Sequence, residues 1–491
     1  MKIRGAYVWW IASVAALGGL LFGYDWVVIG GAKPFYESYF HLTSPSAQGW
    51  AMSCALVGCL AGAMLSGILT EKFGRKPALL ASALVFTVSS LGTGFAGSFT
   101  SFVLWRISGG LAIGLASSLS PMYIAEISPA RMRGRLVTLN ELTIVIGILI
   151  AQVTNWLIAQ HGSGDLLARN AAVGWRWMFG ATAVPATVFL LGMFFVPESP
   201  RWLALRDRES EAREILERIG GPESAAIVLA EIEESVHASE HRNQLTLELQ
   251  MLLGPGLRRV LLLGVGLAVL QQWCGINVIF NYAQNIFSAA GYSLSDIMFN
   301  IVVTGITMLV FTFLAIATVD HNGRRILMLG GCGGLVFIYL ALGYFFRIHS
   351  TGVHMLALVV AALACYAMTL APVTWVVLSE VFPGRVRGTA MAIATASLWG
   401  ACFVLTYTFP LLNAGLGTAG TFWVYAGVCA LGFAGVKRWL PETKGKTLEE
   451  IEAFWTSEPL RSPAARRSQS IPAQSAPAAA TAPSDPIPPR R

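Results

Sequence analysis

Apolar residues run along this chain in blocks of about twenty, separated by short polar breaks. Twelve such blocks start near residues 7, 48, 77, 100, 136, 175, 257, 297, 326, 355, 386 and 419. A hydrocarbon core about 30 Å thick takes roughly 20 apolar residues per helix, so each block predicts one membrane-crossing helix. Six lie on each side of a polar segment at about 197–255. Its charged stretches Arg206 to Ile219 and Glu231 to His237 predict short helices on a membrane surface or packed beneath the bundle. From about Arg461 onward Pro, Ala, Ser and Arg dominate, which predicts a disordered tail. The expected fold class is an all-α membrane protein, with six-helix halves at 1–196 and 256–440. A cytoplasmic helical segment at 197–255 joins them, and a cytoplasmic tail spans 441–491.

Composition agrees: 55% of residues are hydrophobic and 12% charged, against about 25% charged in soluble domains. Met1-Lys-Ile-Arg4 before an apolar run could open a cleavable signal peptide, but the run is long, contains Asp25 and is followed by many like it. The formal charge of +7 does not indicate nucleic acid, because Lys and Arg fall in short clusters between apolar blocks. Lys72, Arg75 and Lys76, then Arg131, Arg133 and Arg135, then Arg324 and Arg325, then Arg385 and Arg387 occupy alternate loops. The other loops offer little beyond Lys33, Arg169 and Arg347. The positive-inside rule therefore predicts that the first set of loops, the central segment and both termini are cytoplasmic. The seven cysteines lie within or beside apolar blocks, with no C-x-x-C pair and no adjacent His, so no metal site and no cofactor is expected.

The halves echo each other. Glu126-Ile-Ser-Pro129 and Glu380-Val-Phe-Pro383 each open an E-x-x-P-x-x-x-R-G motif that runs to Gly134 and Gly388. Glu71-Lys-Phe-Gly74-Arg75-Lys76 matches Asp320-His-Asn-Gly323-Arg324-Arg325, and Pro197-Glu198-Ser199 matches Pro441-Glu442-Thr443. Three ordered matches, at offsets of 254, 249 and 244, identify a duplicated six-helix unit, which predicts a transporter with its substrate at the repeat interface near the bilayer midplane. The loop charges Glu71, Arg75, Glu126, Arg133, Glu198, Arg201, Arg324, Glu380 and Arg387 are expected to form ion pairs that hold the halves together on one side and break when that side opens. Topology signalling alone would explain the Arg residues but not the paired Glu and Pro.

One carboxylate interrupts the first block, in Leu20-Leu-Phe-Gly-Tyr-Asp25-Trp. A charge at the centre of a bilayer costs at least about 2.5–3.5 kcal/mol, so it needs a partner. The only other charge at comparable depth in the first half is Arg106, on the fourth span.

Gly67-x-x-x-Glu71-Lys72-x-Gly74-Arg75-Lys76 resembles the signature loop of the major facilitator superfamily, with Glu where Asp is usual. Arg106-x-x-Gly109-Gly110, Tyr123-Ile-Ala-Glu126, Pro197 to Leu203, Leu270-Gln271-Gln272-x-x-Gly275-Ile276-Asn277 and Pro441-Glu442-Thr443-Lys444-Gly445 resemble its sugar porter family, over about residues 7–455. Within it, the L-F-G-Y-D stretch is similar to bacterial proton-coupled xylose and hexose symporters. The resemblance implies the major facilitator fold and a sugar site. Sugars are dense in hydroxyls and present apolar C–H faces, so amides and aromatic rings suit them. Gln271, Gln272 and Asn277 supply the amides, and Gly275 can let the seventh span unwind; bonding between helices is their other use.

By resemblance, Trp375 and Trp399 pack on the sugar. Glu141 stands where the family has Gln, Asn281 where it has Tyr, Leu398 where it has Gln, Met308 where it has Asn and Thr182 where it has Glu. These departures leave sugar or polyol as the class and the particular sugar open. In proton-coupled members the Asp and Arg matching Asp25 and Arg106 pair across the cavity, which implies a proton-coupling pair, the alternative being a static ion pair. The expectation is a secondary active transporter importing a monosaccharide or polyol by proton symport, a monomer in a bacterial inner membrane. Its partners are the substrate, protons and lipid, not nucleic acid. The alternatives are a proton-independent facilitator, which typically lacks the acid, and a non-transporting sugar sensor. No H-E-x-x-H, G-x-S-x-G or phosphate-binding loop suggests an enzyme.

Overall fold

The structure, a computed structural model, describes residues 5–129, 131–161, 165–237, 244–254, 257–383 and 386–444. The expected tail after 461 and Arg385 lie outside them. Eleven helical stretches are long and apolar enough to cross a membrane: Gly5–Tyr39, Pro45–Phe73, Arg75–Gly94, Phe99–Ile127, Arg133–Gln160, Leu166–Phe195, Leu257–Asn281, Ser295–Ile316, Arg324–Arg347, Val353–Val381 and Arg387–Trp439. The last is 53 residues long and breaks at Gly417 (φ 68°, ψ 172°), so it is two spans and the described spans number twelve. Helix starts follow capping chemistry. The hydroxyls of Ser44, Ser98 and Ser293 accept from the backbone N–H of Ala47, Ser101 and Asp296, with Pro45 at the first helical position of the second span.

Hydrophobic residues such as Met64, Ile68, Phe95, Phe195, Phe337 and Leu431 are exposed on the outside, the reverse of a water-soluble core. The polar segment forms helices Pro200–Ala204, Glu209–Gly220, Pro222–His237 and Gln244–Leu253. Leu203, Ala212, Leu216, Ala225 and Leu229 close a small core of their own there, separate from that of the bundle. The helix expected from Arg206 starts at Glu209 because Asp207 takes a left-handed conformation (φ 56°). Trp202 Nε1 and Arg206 donate to the Glu71 carbonyl at 3.1 and 2.6 Å, tying this segment under the first half.

The halves meet at the end away from the charged loops. There Gln152 Nε2 donates to Thr304 Oγ1 (3.3 Å) and Gln160 Nε2 to Ser295 Oγ (3.4 Å). Trp156 packs on Phe299 and Trp50 on Phe403. Gly49 lies so close that a Cβ there would sit 2.3 Å from the Tyr407 carbonyl oxygen, so only glycine permits this approach. Toward the charged loops, no hydrogen bond or ion pair joins the halves among the described residues.

Candidate functional site

Asp25 and Arg106 form a buried ion pair, Oδ1 to Nη1 2.5 Å, with side chains 8% and 5% exposed. The first span presents Asp25 inward and the fourth span meets it. The guanidinium lies 5.3 Å over the Phe179 ring, and its Nε has no partner among the described residues. Ser89, Ser90, Thr93 and Thr182 line one side of the pair. Phe22, Trp26, Met52 and Asn281 are among the residues lining the other. Asn281 comes from the seventh span of the opposite half and its Oδ1 is also buried without a partner. Of the predicted sugar residues, Asn281 therefore sits with the ion pair. Thr182 reaches the pair too, with its hydroxyl unpartnered, so the side chain at this position faces the buried charge.

The seventh span breaks where Gly275 adopts φ 86°, a left-handed conformation that a Cβ disfavours, between helices Leu257–Trp273 and Ile276–Asn281. The break lets amides from both pieces converge. Gln272 Nε2 donates to Gln271 Oε1 at 3.0 Å, and Asn277 Nδ2 donates to Gln272 Oε1. All three are buried. Each amide leaves donors or acceptors unused, which a polyhydroxylated ligand can take up.

Trp399 is 4% exposed and packs edge-on against Phe22 (centroids 5.7 Å) and Trp26 (6.2 Å) of the first span. Trp375 is half-buried. Phe22 and Trp26 were missed in the sequence. They flank Asp25, but nothing in an apolar run tells an aromatic ring facing the opposite half from one facing lipid. Leu398 and Met308 are buried and apolar, so they offer no hydrogen bond.

Glu141 is exposed on the fifth span, on the helix face that Gln152 turns to the other half, which places it on the wall of the gap between the halves. It follows Gln152's face: eleven residues is about three turns, or roughly 16 Å of helix.

With the halves apart at this end, the loop charges pair within each half. Arg75 grips Glu126 bidentately (2.9 and 2.7 Å), and Ser199 Oγ donates to the same carboxylate at 2.5 Å. Arg324 meets Glu380 at 3.3 Å. The partners sit on neighbouring spans of one half, and with the halves apart at this end no pair reaches across. Glu198 accepts from the backbone N–H of Arg75 and Lys76 and of Ser199, capping the third span. Glu442 does the same for Arg324 and Arg325 at the ninth. Burial raises the Glu198 carboxyl above its ordinary value, while the N–H bonds pull it back. Four expected members behave differently. Glu71 contributes its carbonyl, its side chain being exposed. Arg133 and Arg201 are exposed and make no ion pair among the described residues. Arg387 donates to the Phe382 carbonyl at 3.2 Å instead.

A buried acid–base pair, an amide cluster at a broken helix and two halves parted at one end suit a solute carrier. The profile of the Sugar (and other) transporter family matches residues 11–455. The chain belongs to this family. It is 37% identical over 488 residues to the D-xylose-proton symporter of Escherichia coli (strain K12), covering 93% of this chain and 97% of that one. It is 36% identical over 447 residues to the arabinose-proton symporter of Bacillus subtilis (strain 168), covering 91% and 94%. Among solved structures, the inward open conformation of the E. coli xylose transporter gives a TM-score of 0.81 at 36% identity, covering 92% of this chain and all of that one. The same transporter bound to 6-bromo-6-deoxy-D-glucose gives 0.75, also at 36% identity, with the same coverage. Like these relatives, the chain has the twelve-span major facilitator fold.

Proposed function

We propose that this transporter imports a monosaccharide or polyol by proton symport. The observation that carries it is the Asp25–Arg106 pair, whose pocket is completed by Asn281 from the substrate-binding half. An acid beside a base is favoured in its charged form and burial favours the neutral form. Asp25 therefore takes up and releases a proton as its distance from Arg106 and its exposure change through the cycle. The names of the xylose and arabinose symporters support the coupling. The gap opens toward the charged loops, which the positive-inside rule assigns to the cytoplasm of a bacterial inner membrane, so this conformation reads as inward-open. We take 1–196 and 256–440 as the two moving bodies of a monomer in the lipid bilayer.

The test is uptake of labelled pentoses, hexoses and inositols into proteoliposomes, with and without an imposed proton gradient. Accumulation of at least one of them above equilibrium, only with the gradient, is expected. Equal uptake with and without the gradient would identify a facilitator.

A further inference from the structure

We propose that the substrate carries a basic amine, so that the transported solute is an amino sugar or amino polyol whose ammonium group is held by Glu141. This deepens the function proposed above and rests on it. At membrane depth Asp25 is neutralised by Arg106, and Lys33 by Glu37 at 2.8 Å. Glu141 has no hydrogen bond and no ion pair among the described residues, so in its ionised form it is an uncompensated negative charge on the cavity wall. It lies on the fifth-span face that carries Gln152, whose side chain bonds Thr304 of the other half. The carboxylate thus borders the gap between the halves.

Water solvates the Glu141 carboxylate while the gap is open. Closing the halves removes that water, and an isolated charge in a low-dielectric interior is costly. Hydroxyls of a neutral sugar can donate to the carboxylate but leave its charge in place. An ammonium donates and also removes the net charge, the arrangement in which such bonds are strongest. The same site is poorer in groups for hydroxyls, since Leu398 and Met308 offer none.

The experiment measures binding of D-glucosamine, D-galactosamine, D-glucose and N-acetyl-D-glucosamine to the purified full chain by tryptophan fluorescence, and proteoliposome uptake of each. N-acetylation keeps the nitrogen and removes the charge. The expected result is that at least one amine binds roughly ten- to hundredfold more tightly than its neutral counterparts. Glu141→Gln should collapse that ratio to near one, and Glu141→Asp should restore part of it. The inference is overturned if wild type binds the neutral sugars as well as the amines. It is also overturned if Glu141→Gln leaves the ratio unchanged, or if the variant loses only proton-driven accumulation of a neutral sugar, which would make the carboxylate a proton site. Failure of every sugar and polyol, charged or neutral, would instead remove the transport reading itself.

Discussion

The first and seventh spans are counterparts in the duplicated unit, yet they carry different chemistry. The first is one unbroken helix from Gly5 to Tyr39 that buries two charges, Asp25 paired with Arg106 and Lys33 paired with Glu37. The seventh is broken at Gly275 and buries four neutral amides, Gln271, Gln272, Asn277 and Asn281. A charge needs one partner at a fixed distance, which two straight helices provide. Hydroxyls need several donors and acceptors aimed at one point, which a continuous helix disperses around its axis and a broken one gathers. In the function proposed above, the duplication divides proton handling from solute handling, with Asn281 and Trp399 on the solute side touching the other.

The sharpest way to break this division is Asp25→Asn. Proton-driven accumulation should fall to the level seen without a gradient, while counterflow and binding persist. A static pair predicts otherwise, because removing one partner of a buried ion pair costs about 3–5 kcal/mol and lowers thermal stability and every transport mode together. Counterflow, uptake and melting temperature on one preparation separate these outcomes. Wild-type accumulation in Asp25→Asn would end the coupling assignment.

Gln272→Ala and Asn277→Ala test the other side. Each should weaken binding by about 1–3 kcal/mol by leaving a buried hydroxyl unpaired, read by titration in detergent, with the stimulation by a proton gradient unchanged. Wild-type affinity in both would move the sugar site off the seventh span.

Gly275→Ala probes the break itself. The left-handed conformation costs an L residue about 1–2 kcal/mol, and the new Cβ would lie 2.9 Å from the Tyr425 ring. A lower melting temperature and weaker binding are expected, with Asp25 chemistry untouched.

The smallest effect concerns the charged loops. Glu126 holds Arg75 bidentately, whereas Glu380 keeps one oxygen buried without a partner. Glu126→Gln should therefore lower stability by about 1 kcal/mol more than Glu380→Gln, measured by thermal melting of the two variants side by side.

The fold was legible in the sequence because block length answers to bilayer thickness and the repeated motifs set the halves. Asp25 and Arg106 were legible as a pair because mid-span charges are rare and demand compensation. The arrangement around them was less so. Asn281 was expected among the sugar contacts, but the helix restarts after Gly275 and carries it toward Asp25, a rotation no spacing rule supplies. The loop charges were recognisable as a set. Which of them pair depends on how far apart the halves stand, and that is a conformational fact absent from the residues' identities.

Glu198 and Glu442 each clamp the start of one span to the chain that leaves another in the same half. Each half is thereby stapled as a lever, and bending inside it would tear out several backbone bonds at once. The compliance of the machine then resides in the seam. Its hydrogen bonds among the described residues are two between neutral groups, Gln152 to Thr304 and Gln160 to Ser295, worth about 0.5–1.5 kcal/mol each. Inverting a two-state population from 1:99 to 99:1 takes about 5.5 kcal/mol. A latch this light, on arms this stiff, leaves the direction in which the gate faces to be decided by what the halves bind.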